Sequence, residues 1–184
     1  MRIDHADLEG RPHFVVPTVM ITVGVFNGSE GPVYYPPKPL GDTVAAWNGR
    51  PVVVYHPDMR GGGAAGNPSV FNRQKVGTLF NARFDGHRMT AEAWIDKERV
   101  GRVDPRVLGA VVNRAVMEVS TGMLIDFGEA GGEHNGRAFR REALRIVPDH
   151  LAVLPDQVGA CSVADGAGRV RNQWFESIAL PGAY

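Results

Sequence analysis

Glycine and proline punctuate this chain so often that a long regular element has nowhere to run. Of 184 residues, 23 are glycine and 13 are proline, and the apolar stretches between them suit strands rather than a helix bundle. Residues 14–26 are rich in valine and isoleucine but broken by Pro17 and Gly24, which fits one or two strands. Residues 30–40 carry Pro32, Pro36, Pro37 and Pro39 and read as loop. Asn48-Gly49 signals a turn before Pro51-Val52-Val53-Val54-Tyr55, an apolar strand ending at His56. Residues 61–68 are too glycine-rich to pack and read as a mobile surface loop.

The clearest hairpin joins residues 76–84 and 88–95 through Asp85-Gly86, a dipeptide suited to positive φ angles. Asp104-Pro105 reads as an N-cap followed by proline at the first helical position, opening a short helix to about residue 113. Residues 116–127 alternate: Met117, Val119, Thr121, Met123 and Ile125 share one face, and Glu118, Ser120, Gly122, Leu124 and Asp126 the other. Residues 128–136 form a turn region, and 139–147 and 150–154 read as two strands separated by Pro148. The expected fold is mainly β with a few short helices, about seven short strands forming a barrel or folded sheet. One domain should span residues 1–165. Beyond it the chain turns polar, with Trp174-Phe175 and Ile178-Ala179-Leu180 as its apolar clusters, so residues 166–184 read as a tail or tether.

Charge removes several functions. Lys+Arg and Asp+Glu are both 20, a formal net charge of zero, whereas a generic nucleic-acid or anionic-membrane binder carries a basic excess. One cysteine, Cys161, supports neither a disulfide framework nor a cysteine-rich zinc site. No run reaches the roughly 18–20 apolar residues that span a bilayer, and the acidic start after Arg2 lacks the apolar core of a signal peptide. The expectation is a soluble protein of a reducing compartment.

Three distant pieces place a hydroxyl or an imidazole at the end of, or inside, an apolar run: Tyr55-His56-Pro57, Val119-Ser120-Thr121-Gly122 and Asp149-His150-Leu151-Ala152-Val153. A serine becomes a nucleophile when a base takes its proton, and that base works best when a third group orients it. On residue chemistry alone each piece has a plainer reading: Ser120 as a strand serine bonded to backbone, His56 as a strand-end histidine, His150 as a packed core histidine. Gly122 would let backbone approach a substrate, and Glu118 and Asp126 mark the Ser120 face as more than core. Cys161 is a competent nucleophile by type, yet its small-residue surroundings offer no activating group. His56, Asp58, His134 and His150 lack tight metal-ligand spacing. Residues 61–63 lack the ending of a phosphate-binding loop, and no GxSxG elbow is present.

Taken in order, the pieces resemble the phage prohead proteases that share the herpesvirus assemblin fold. The resemblance covers most of residues 17–168. It rests on Trp47-Asn48-Gly49-Arg50-Pro51-Val52 leading into His56-Pro57, Val76-Gly77, Ala91-Glu92-Ala93-Trp94-Ile95, Glu118-Val119-Ser120-Thr121-Gly122 and His150-Leu151-Ala152-Val153-Leu154, closing with Gly159-Ala160-Cys161-Ser162 and Ala164-Asp165-Gly166. The resemblance implies a closed or nearly closed β-barrel of the assemblin type, with Ser120 as nucleophile, His56 as base and His150 as third member. It implies a serine endopeptidase with neither metal nor cofactor that cleaves scaffold and major capsid proteins, and itself, inside the procapsid in the host cytoplasm. Self-association into a homo-oligomer is expected, with no membrane or specific nucleic acid as partner. The competing reading is a non-catalytic head or scaffold component that keeps the fold. Relatives often carry an arginine near the oxyanion site, a few residues after the third member. Here that stretch is Asp156-Gln157-Val158-Gly159. Backbone N–H groups of Gly122, Val158 and Gly159 are the implied oxyanion donors, with Arg140, Arg141 and Arg145 as substitutes.

Overall fold

The computed structural model describes residues 4–29, 31–58 and 64–169. The strands are β1 (Asp4–Leu8), β2 (Arg11–Thr22), β3 (Gly24–Gly28), β4 (Gly31–Tyr35), β5 (Pro51–Val54), β6 (Lys75–Phe84), β7 (Arg88–Asp96), β8 (Glu118–Gly128), β9 (Gly132–His134), β10 (Arg137–Phe139), β11 (Arg141–Leu154) and β12 (Gly168–Arg169). Five short helices join them: α1 (Pro37–Gly41), α2 (Val44–Trp47), α3 (Pro68–Gln74), α4 (Lys97–Val103) and α5 (Pro105–Val112). The protein is mainly β with short helices, as the punctuation of the sequence predicts.

One large mixed sheet runs in the order β1-β2-β7-β6-β5-β11-β4-β3, with β8 paired to β11 and β12 to β2. The β6–β7 hairpin forms where expected, although of its two turn residues only Gly86 adopts positive φ. Asp85 instead uses its carboxylate to accept the N–H groups of His87 and Arg88. Asp104 caps α5 by accepting from Arg106 N–H, with Pro105 in the first turn, in agreement with the sequence.

The expected closed barrel is not found. Among the described residues, β8 pairs only with β11, and no ladder joins it to β2. The reason lies in the free edge of β2. That edge carries β1 along its first half, Asp4 opposite Val15, and β12 along its second, Gly168 opposite Val19. The chain therefore remains part of the sheet to Arg169, past the expected boundary at 165. The rest of the expected tail, residues 170–184, lies outside the described residues.

Other expectations are corrected locally. Residues 31–35 and 37–41 are β4 and α1 rather than loop, because Pro37 occupies the first turn of a helix, where a missing N–H costs nothing. The segment after the glycine run becomes α3, capped by Asn67 accepting from Ser69 N–H, with Pro68 in its first turn. Residues 59–63 of the expected mobile loop lie outside the described residues. The two strands expected on either side of Pro148 are one strand, β11, with register shifts between Ala143 and Arg145 and between Pro148 and His150. The shifts absorb one residue each, Leu144 and Asp149, as β-bulges do. Among the described residues no helix is long and apolar enough to cross a membrane.

The sheet buries both faces where β5 and the end of β11 lie side by side. One face holds the main core, in which Trp47, Val52, Leu79, Val100 and Leu151 are almost wholly enclosed. The other holds a smaller cluster of Val53, Ala65, Val70, Ala152 and Leu154, covered by α3 and the segment before it. Alternation assigns every β11 residue here to one face or the other. His150 belongs with Ala152 and Leu154, on the side of the smaller cluster.

Candidate active site

Register brings the three sequence pieces together. On β8 and β11, Ser120 lies opposite Ala152 and Gly122 opposite His150. Ala152 in turn lies opposite Val53 of β5. Directly paired residues project to the same side of a sheet, so Ser120, Gly122, His150, Ala152 and Val53 share one face. Ser120 is half-buried on it and His150 is 1% exposed.

Gly122 makes room for the imidazole. A methyl group at this position would lie 2.0 Å from His150 Cε1 and 2.4 Å from either ring nitrogen, so the ring rests directly against the β8 backbone. No other residue type permits that packing. The glycine expected to ease substrate approach is the seat of His150.

Asp149 occupies the bulge. In an uninterrupted strand, residues 149 and 150 would point to opposite faces; the register shift turns them together. Asp149 Oδ2 then lies 2.7 Å from His150 Nδ1 and also accepts the N–H of Ala65 at 2.9 Å. A carboxylate only accepts, so the proton sits on Nδ1 and His150 Nε2 presents its lone pair. That atom lies 2.7 Å from His56 Nδ1, which must be the donor. His56 Nε2 is left deprotonated and directed away from the pair. The three residues form an ordered chain, carboxylate to imidazole to imidazole, ending in a basic nitrogen.

The backbone at Tyr55 delivers His56 to this chain. Had β5 continued straight, His56 would share the face of Val52 and Val54, opposite to His150. Tyr55 instead adopts φ 61, while its N–H still bonds Val153 O at 3.1 Å. A left-handed conformation in a bulky residue costs ~1–3 kcal/mol and persists only where surroundings enforce it. Here the phenol donates to Asp156 Oδ1 at 2.8 Å and accepts from Arg106 Nη2 at 2.8 Å. Arg106 also reaches Asp156 Oδ2 at 2.7 Å and Asp104 Oδ2 at 2.6 Å. The Tyr55 phenol and the Arg106 guanidinium hold the Asp156 carboxyl below its ordinary pKa.

Both histidines are biased toward the neutral form. Burial lowers the pKa of His150, against an opposing pull from Asp149. Desolvation, then repulsion from His150, pushes His56 down to about 4. His56 as a whole side chain is exposed, but its Nδ1 edge is turned inward onto a buried ring. At neutral pH both rings are uncharged, the state a general base must hold before it acts.

The remaining candidates fall elsewhere. No hydrogen bond joins Ser120 Oγ to His56 among the described residues, although Ser120 shares the face of His150. The Gly159 N–H is engaged by Glu118 Oε2 at 3.3 Å, and Val158 is exposed. Arg145 pairs with Asp126 and Arg141 lies over the Phe127 ring, both at the far end of β8 from Ser120. Cys161 is buried, with Sγ 3.6 Å from Thr22 Oγ1, and burial raises its pKa. His134 packs tilted against Tyr34, with ring centroids 4.6 Å apart. Sequence reasoning noted Asp149 beside His150 without a role for it, because an adjacent strand residue ordinarily faces the other way. Pro148 was the available sign of a bulge. Tyr55 and Arg106 had no sequence signal, since a positive φ on tyrosine is not written in residue type. No family model, curated protein or solved structure matches this chain.

Proposed function

We propose that this chain is a serine endopeptidase of the herpesvirus assemblin type that cleaves scaffold and head proteins, and itself, during phage procapsid maturation. The observation that carries the reading is the Asp149–His150–His56 chain, which ends in a deprotonated nitrogen and lies on the face of the half-buried Ser120. In the proposed reaction Ser120 Oγ attacks the scissile carbonyl carbon and gives its proton to His56 Nε2. His56 then protonates the leaving amine as the C–N bond breaks, and water repeats the cycle on the acyl-serine. His150 Nε2 accepts from His56 Nδ1–H throughout, and Asp149 fixes the tautomer that makes this possible. A neutral imidazole stabilises an adjacent imidazolium less than a carboxylate would, which suits a slow enzyme with few substrates. Gly159 N–H being engaged, the oxyanion assignment passes to the N–H groups of Gly122 and Val158.

The test is co-expression with candidate scaffold and capsid proteins, read by intact mass. The wild type should shorten them and Ser120→Ala should not. Full cleavage by purified Ser120→Ala would end the protease reading. One observation favours a second reading: the missing Ser120–His56 hydrogen bond is what a head component that keeps the fold without catalysis would show. Free enzymes often tighten such contacts only with substrate bound. Labelling by a fluorophosphonate separates the two, since a non-catalytic Ser120 acquires no adduct.

A further inference from the structure

We propose that Tyr55 is a positioning residue: its phenol, clamped between Asp156 and Arg106, holds the strained backbone that turns His56 onto His150. The consequence for hydrolysis rests on the function proposed above; the geometric claim does not.

Of the five non-glycine residues with positive φ among those described, Tyr55 is the only aromatic one. Glu9, Asn81, Arg114 and Asn135 have longer or smaller polar side chains, and asparagine tolerates this region best. A tyrosine there needs an external hold, and the structure supplies one from three separate elements. Asp156 follows β11, Arg106 begins α5, and the ring packs between the two apolar clusters. Arg106 is itself fixed by the Asp104 cap. The hydroxyl, guanidinium and carboxylates of the clamp are all paired with one another, and among the described residues none of them hydrogen-bonds to His56 or His150. The clamp therefore acts on His56 only through the Tyr55 backbone. The strain it maintains has a use. Released, residue 55 returns to extended geometry, and His56 swings toward the face of Val54, away from His150 Nε2.

The experiment uses the full chain with Tyr55→Phe, which keeps the ring and removes both hydroxyl bonds. Arg106→Gln provides a second variant that leaves residue 55 untouched. The primary reading is the ring-proton NMR resonance of His56 Nδ1–H, which a hydrogen bond to His150 Nε2 shifts downfield and shields from solvent exchange. Both variants should lose that resonance or exchange it quickly, while the His150 Nδ1–H signal, held by Asp149, persists. A general loss of structure would remove both signals, so the selective loss distinguishes positioning from folding. An unchanged His56 resonance in both variants overturns the proposal, whatever the activity. The secondary reading is the rate of Ser120 modification by a fluorophosphonate, which should fall about ten- to a hundred-fold, the scale of a small misplacement of a base. If the wild type takes no label, the proposed function fails while the resonance still decides the clamp.

Discussion

At the residue scale, a proton has only one consistent place at each joint between Asp149, His150 and His56. The carboxylate fixes His150, and His150 fixes His56. Two outcomes follow. His56 has its pKa lowered to about 4 from an ordinary value near 6.5, so the base stays competent well below neutrality. Ser120 labelling should remain nearly constant down to about pH 5 and fall as the pH passes through about 4. A midpoint near 6.5 would show His56 free of the pair. The same shift acts on stability. The unfolded chain binds a proton at His56 between these two values and the folded one does not. The contribution of His56 is thus complete above the ordinary value and is lost as the pH falls toward the folded one, which urea midpoints across that window would register. The second outcome concerns Gly122→Ala. Its methyl group falls inside the His150 ring, so the ring must leave its seat. The cost expected for such overpacking is ~1–3 kcal/mol, with loss of Ser120 labelling. Equal stability and labelling would show that the ring has room to move.

At the scale of elements, the bulge in β11 is the device that makes the site. It was partly legible. Pro148 was visible as an interruption, and the alternation over residues 116–127, on both sides of Ser120, placed β8 because a half-buried strand alternates. What composition hid was that Pro148 interrupts the register without ending the strand, since long pairing with β8 on one side carries β11 across it. The short helices were legible only where a cap stood before proline, as at Asp104. The α3 helix follows Asn67-Pro68, the same signal, but the glycines before it obscured the cap. The site's carboxylate, Asp149, stayed hidden because strand periodicity directs neighbours to opposite faces. Asp149 also ties β11 to the segment entering α3 through Ala65 N–H. Asp149→Ala should therefore do two things at once. Hydrogen exchange at Ala65 should accelerate, and the His150 tautomer should lose its bias, lowering Ser120 labelling about ten- to a thousand-fold. His150→Ala should lower the rate within the same range without changing exchange at Ala65. If both variants leave the rate untouched, another carboxylate orients His56.

At the scale of the whole molecule, the sheet stops short of closure because β2 gives its free edge to β1 and β12. The second of these is only two residues long, yet it is reached through a well-made connection. Ser162 and Asp165 cap one another around a short 3-10 turn, Arg137 holds the Asp165 carboxylate at 3.0 Å, and Ala167 is buried against the main core. Glu118, at the start of the strand that carries Ser120, accepts the N–H groups of Gly159 and Val163. The closing segment thus braces β8 at one end and fills the edge of β2 at the other. Comparing two truncations isolates its contribution. Chains ending at 165 and at 169 differ only in residues 166–169, so the difference between their thermal midpoints reports the buried alanine, the β12 pairing and the turn bonds from Gly166 N–H to Val163 O and from Ala167 N–H to Ser162 O. The shorter chain should be less stable by about 1–3 kcal/mol, from one apolar side chain, two ladder positions and these turn bonds. It should also lose Ser120 labelling in proportion to any loosening of β8. Equal midpoints would place the end of the folding unit at 165, where the sequence alone put it.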